Sequence, residues 1–199
     1  MAKTASHEKD ADTPSGIITD ELLVKRVIAG DVDAYGQIME RYEPKLMRYA
    51  VTLTGNYDIA PDIVQETFIK VYQNLQSYNP KYKFSSWIYR IAHNQAINSI
   101  KREKHFDRHV DIDQMAELTE DFLAADYIDA SFMRSDVLAC LSVLQTKQRE
   151  ILLLFFFEQM KYSEIADVLR IPTSTVGVRL SRAKSALRKI CEQKGVQYE

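Results

Sequence analysis

At 199 residues the chain can hold one large or two small domains, and its 46% apolar content is that of a globular protein, not a disordered one. A net charge of −2 excludes nucleic-acid binding by overall basicity, and two cysteines, Cys140 and Cys191, are too few for a disulfide framework or a cysteine metal site. The opening MAKTASHEKDAD has no apolar signal-peptide core and no apolar run approaches the ~18 residues of a membrane span, so a soluble, cytoplasmic protein is expected.

Residues 1–18 are small and polar, with Pro14 and Gly16, and are expected to be a disordered tail. Thr19 or Asp20 can cap a helix that carries Leu22, Leu23, Val27 and Ile28 and stops at Gly30. Asp31 caps a second helix that runs to Leu53, with Pro44 a place to bend and Gly55-Asn56 a break. The next helix starts near Pro61, a residue tolerated in a first turn. Its stretch APDIVQETFIKVYQNL buries Val64, Phe68, Val71 and Leu75 and turns Asp62, Gln65, Glu66 and Ile69 outward. Asp62 and Glu66 stand four apart and repel on a helix, so this face is not optimised for the helix alone and suits a basic partner.

After the turn SYNPKYK comes the most informative stretch, FSSWIYRIAHNQAINSIKREK, residues 84–104, with Ser85 or Ser86 available as a cap. Wound at about 100° per residue, it gathers Ile88, Ile91, Ala92, Ala96 and Ile100 on one side. A second, polar stripe holds Trp87, Arg90, Asn94, Asn98 and Lys101, followed by Arg102. Cations bind phosphates, amides read base edges and an aromatic stacks on an unpaired base. His93, a lone histidine on the flank of this helix, is expected to be a polar surface residue.

Charge is segregated along the chain. Lys81, Lys83, Arg90, Lys101, Arg102, Lys104 and Arg108 make one basic block. Asp111, Asp113, Glu117, Glu120, Asp121, Asp126 and Asp129 then occupy a stretch without a cation, and Arg170, Arg179, Arg182, Lys184, Arg188, Lys189 and Lys194 follow. The pattern suggests two anion-binding modules on an acidic tether. Residues 105–130 are expected to be that linker, flexible, with a short helix near 115–123. In the second module one helix is expected through Val137, Leu138, Leu141 and Leu144 and another over residues 147–157. KYSEIADVLRIPTSTVGVRLSRAKSALRKI then reads as helix, turn, helix: Ser163 as first cap, a break at Arg170-Ile171-Pro172, and Thr173 or Ser174 as second cap. Val176, Leu180, Ala183 and Leu187 face inward and Arg179, Ser181, Arg182 and Lys184 outward, a helix suited to the major groove.

DIVQETFIKVY, FSSWIYRIAHNQAINSIKR and LQTKQREILLLFFFEQMKYSEIADVLRIPTSTVGVRLSRAKSALRK, in that order, resemble the extracytoplasmic-function (ECF) group of bacterial RNA polymerase sigma factors. The resemblance implies an all-α protein of two helical domains: residues 19–104 as region 2, residues 131–194 as region 4 with a helix-turn-helix, and a tail at 195–199. It implies that Asp62, Gln65 and Glu66 contact the coiled coil of the polymerase largest subunit, with region 4 on the flap. It puts Asn94 beside a flipped minus-10 base, Asn98 one turn on, and Arg90, Lys101 and Arg102 on phosphates. Thr173, Ser174 and Thr175 open the helix whose Gly177, Val178, Ser181 and Arg182 face the minus-35 groove, with Arg179 on a phosphate. An anti-sigma protein is a further implied partner. Gln145 and Arg170 stand where many members have Pro and Gly.

The chain shows no catalytic carboxylate pair, nucleophile–base set, phosphate loop or metal-ligand spacing, so neither enzyme nor cofactor is expected. Two other readings compete: a helix-turn-helix regulator that does not engage polymerase, and a protein-interaction module that binds no nucleic acid.

Overall fold

The computed structural model describes residues 18–106 and 135–195. Every regular element among them is helical. The first module holds α1 (Asp20–Ile28), α2 (Val32–Thr54), α3 (Ala60–Asn74) and α4 (Phe84–Phe106), with a 3₁₀ turn at Leu75–Ser77. The second holds α5 (Ser135–Val143), α6 (Thr146–Leu152), α7 (Tyr162–Leu169) and α8 (Thr173–Gln193), with a π-helical turn at Leu153–Phe157 after α6.

Local chemistry explains most boundaries. Thr19, not Asp20, caps α1, its hydroxyl accepting from the Leu22 N–H at 3.3 Å. Asp31 caps α2 through the Ala34 N–H at 3.1 Å, and Arg26 hydrogen-bonds the same carboxylate at 2.8 Å. That Arg26 bond, first among the causes, holds the Asp31 carboxyl below its ordinary value. Helix α2 continues through Pro44 and ends at Gly55, whose φ of 73° is a left-handed cap that glycine adopts without strain. Ile18, at the edge of the expected tail, packs on the core and its carbonyl accepts from Arg41.

Some expected boundaries differ. The helix expected over 147–157 is α to Leu152 and then widens into the π turn. Ser163 is exposed and does not cap α7; Lys161 is the cap residue, its N–H donating to Glu164 Oε2 at 2.9 Å. Helix α8 starts from Pro172, so neither Thr173 nor Ser174 is its cap. Ser85 and Ser86 lie inside α4, and Ser86 is buried. The acidic tether and the short helix near 115–123 fall almost wholly outside the described residues, although His105 and Phe106 belong to α4.

In the first module α1, α3 and α4 pack around α2, burying Leu23, Ile38, Leu46, Leu53, Phe68, Phe84 and Ile88. In the second, α5, α6 and α7 pack on α8 around Leu141, Ile151, Leu154, Ile165, Val176 and Leu180. Cys140 and Cys191 are both buried, as expected of small apolar thiols. The modules also pack on each other: α7 lies against α4, and α6 against α2.

Candidate nucleic-acid interface

Helix α4 buries Ile88, Ala92 and Ala96 and leaves the polar stripe at its edge. Arg90 is half-buried, and Asn94, Asn98, Lys101 and Arg102 are exposed. Trp87 is only 8% exposed: its ring sits 5.5 Å from Tyr78 and 5.8 Å from Phe84, centroid to centroid. Burial, first, and the nearby Glu21 and Asp20 push the Tyr78 phenol up to about 12, so it stays protonated and donates to the Tyr82 carbonyl at 2.6 Å. Trp87 therefore packs into the aromatic cluster beneath the stripe, where its rings are held by Tyr78 and Phe84, instead of standing free in the stripe as the helical period predicts.

A groove of about 670 Å³ brings Trp87, Arg90, Asn94, Asn98 and Lys101 together with Lys70 and Asn74 of α3 and Arg170 of the second module. An adjoining groove between α3 and α4 joins Asn98, Lys101 and Arg102 to Asp62 and Glu66. Asp62, Gln65 and Glu66 are all exposed on α3, as the periodicity predicts. Glu66 lies 3.5 Å from Lys70 one turn on, a weak surface pair. Lys70 also donates to the buried Gln95 of α4 at 2.8 Å, fixing the two helices that flank the groove. Lys70 and Gln95 lie 25 residues apart on different helices, and nothing local in the sequence signals their link.

Helix α8 presents Thr173, Ser174, Val178, Ser181 and Arg182 to solvent, with Thr175, Gly177 and Arg179 half-buried. Arg170, in the turn before it, has φ 51° and ψ 49°, a left-handed conformation that strains any residue with a Cβ. An aromatic patch lies alongside: Phe156 and Tyr162 are partly exposed, Phe155 stacks edge-on with both, and Lys184 Nζ sits 4.7 Å from the Phe155 ring centroid.

His93 departs from expectation. Its side chain is 21% exposed, and Nδ1 lies 2.5 Å from Glu150 Oε1 of α6. A carboxylate only accepts, so the proton is on Nδ1. The Tyr49 hydroxyl donates to the same oxygen. Burial, first, and the Glu150 charge push that phenol well above its usual range, keeping it a donor. Beside it, Arg149 donates to the carbonyls of Thr52 at 3.0 Å, Ser142 at 2.7 Å and Leu144 at 3.0 Å; burial pushes its guanidinium down. Arg48 of α2 donates to Glu158 at 2.7 Å with its guanidinium over the Phe157 ring. The available signal for Glu150 was its place on the apolar stripe of ILLLFFF, three and four residues before Leu153 and Leu154.

Among the described residues no group of three or more His, Cys, Asp or Glu side chains could hold a metal, and no helix is long and apolar enough to cross a membrane. A helical module with an amide-and-cation stripe beside a helix-turn-helix module defines the class. Residues 38–106 match sigma-70 region 2, and residues 134–187 match sigma-70 region 4.

The ECF RNA polymerase sigma factor SigW of Bacillus subtilis (strain 168) is 32% identical over 174 residues, covering 83% of this chain and 93% of SigW. The structure of CnrH in complex with the cytosolic domain of CnrY has the same fold at TM-score 0.66 and 22% identity, covering 87% of this chain and 97% of that one. The sigma factor RpoE of Bartonella quintana, in complex with the anti-sigma factor NepR, superposes at TM-score 0.61 and 20% identity, covering 79% and 96%. The chain belongs to the ECF RNA polymerase sigma factors.

Proposed function

We propose a division of labour over three surfaces of this sigma factor. The outward face of α3, with Asp62, Gln65 and Glu66, docks on a basic coiled coil of core RNA polymerase. The α4 stripe takes the minus-10 element: Asn94 and Asn98 meet extruded bases, and Arg90, Lys101 and Arg102 hold the strand's phosphates. Helix α8 enters the minus-35 major groove, with Arg182 and Ser181 reading base edges and Arg179 on a phosphate. The exposed Phe156 and Tyr162 beside α8 suit the flap region of polymerase, because exposed aromatics clustered on one face mark a docking surface.

The observation that carries this reading is the paired grooves between α3 and α4. One continuous surface runs from the carboxylates of α3 to the amides and cations of α4, so polymerase and single strand are held side by side. The protein works by binding and positioning, without catalytic chemistry of its own, in the cytoplasm where polymerase acts. An anti-sigma protein completes the partner set, as in the RpoE relative. A regulator using only the helix-turn-helix is disfavoured, since it leaves the region 2 match without a role.

The test is run-off transcription with purified core polymerase on genomic fragments, with wild type beside Asp62→Lys/Glu66→Lys. The wild type is expected to direct specific initiation. The charge reversal is expected to lose core binding with helicity unchanged, and wild-type affinity in that variant would remove the α3 face from the interface.

A further inference from the structure

Glu150 is 3% exposed, and both of its hydrogen-bond donors belong to the other module: the Tyr49 hydroxyl of α2 and His93 Nδ1 of α4. Its neighbour Arg149 is divided differently. Two of its bonds go to the Ser142 and Leu144 carbonyls of its own module, and only the bond to the Thr52 carbonyl crosses. If the modules separated, Arg149 would keep its local bonds while Glu150 would lose both donors. A position that only had to fill the core would be served at least as well by an apolar side chain, because a buried ion pair seldom gains over packed hydrocarbon. A carboxylate behaves otherwise. It is costly when buried without donors and at ease in water, so it makes docking conditional on Tyr49 and His93 and leaves the separated surface soluble.

We propose that Glu150, Tyr49 and His93 form a reversible latch that closes the two modules of the free chain on each other, and that the closed chain is self-restrained because its helix-turn-helix module covers part of the α4 stripe. The cover lies where the stripe would receive a strand. Helix α7 packs on α4, and its Asp167 shares a cleft with Trp87 and Arg90. A carboxylate there competes with a phosphate for Arg90. Arg170 stands in the wall of the neighbouring groove that Asn94 and Lys101 also line. The stripe can take a strand freely only in the open chain, so the apparent affinity for single-stranded DNA falls by the fraction of chains that are open. The self-restraint rests on the surfaces assigned under the proposed function; the latch does not.

The test measures small-angle X-ray scattering and affinity for a single-stranded DNA oligonucleotide on three full-length forms with equal helix content by circular dichroism. These are wild type, Tyr49→Phe/His93→Leu, and the same pair with Glu150→Leu added. The double variant leaves an unpaired carboxylate in the closed form, so its radius of gyration is expected to grow and binding of the oligonucleotide to tighten about tenfold. The triple variant removes that carboxylate and is expected to return to the compact radius and to wild-type affinity or weaker. If the double variant does not fold, Tyr49→Phe alone must move both readouts the same way. A double variant with wild-type radius and affinity overturns the latch. One that opens and binds the oligonucleotide no better overturns the self-restraint. If the double variant opens but no form, wild type included, binds the oligonucleotide, the strand-binding assignment of α4 fails and the latch stands.

Discussion

Lys83 Nζ lies 2.7 Å from Glu164 Oε1, tying the turn before α4 to the first turn of α7 across the module boundary. The Glu164 side chain is 12% exposed and that of Lys83 58% exposed. Burial, the largest single effect on Glu164, raises its pKa. The hydrogen bond from Lys83, the Lys161 N–H and the two lysine charges together outweigh it, so the carboxyl sits below its ordinary value. A depressed carboxyl stabilises the fold above its unfolded value of about 4.5 and loses that contribution as pH falls through the folded value. Glu164→Gln keeps an acceptor for the Lys161 N–H but removes the charge. The variant is expected to be less stable than wild type at pH 7, with the gap closing toward pH 3 and shrinking in high salt. Urea titrations across that range check it; a gap independent of pH would show that the charge contributes nothing.

Arg170 occupies the left-handed region at the end of α7, its N–H donating to the Ala166 carbonyl. Arg170→Gly relieves the Cβ clash, partly offset by the greater freedom of glycine in the unfolded chain. A net gain of about 1 kcal/mol is expected, read as a higher denaturation midpoint with unchanged slope. A loss would mean that the Arg170 side chain contributes more in the groove than its backbone costs.

Asn94 is exposed on the wall of the α4 groove. Asn94→Ala removes an amide that offers donor and acceptor to an extruded base, so promoter opening is expected to fall about tenfold or more while core binding is spared. Permanganate footprinting of melted thymines, beside a core-binding assay, reads both. Normal melting would take Asn94 out of the site.

Arg182 is exposed on α8 and Arg179 is half-buried against the domain. Arg182→Ala is expected to cost about 1–3 kcal/mol at its cognate site and relax preference at one base position. Arg179→Ala is expected to weaken binding to all sequences alike and flatten the salt slope. Binding of holoenzyme to a set of minus-35 variants at several salt concentrations separates the two; if neither substitution alters sequence preference, Arg182 does not read a base.

The helices, their caps at Thr19 and Asp31, the stop at Gly55 and the apolar stripes were legible because each depends on residues within a few positions of one another. The exposure of Asp62, Gln65, Glu66, Asn94 and Asn98 followed from the same 3.6-residue period. The caps of α7 and α8 were less legible, because Ser163, Thr173 and Ser174 are all good cap residues and helix geometry chose the backbone of Lys161 and Pro172 instead.

By itself the sequence determined that this is a two-module helical protein with an amide-and-cation stripe and a helix-turn-helix, since helical period, capping and turn chemistry are local properties. Only the tertiary structure decided how the modules meet: that Trp87 lies under the stripe, that His93 is drawn inward, and that Glu150 is buried between Tyr49 and His93. The physical reason is separation along the chain. A carboxylate finds its donors 101 and 57 residues away by packing, and nothing within a helical turn of Glu150 records which distant side chains will satisfy it.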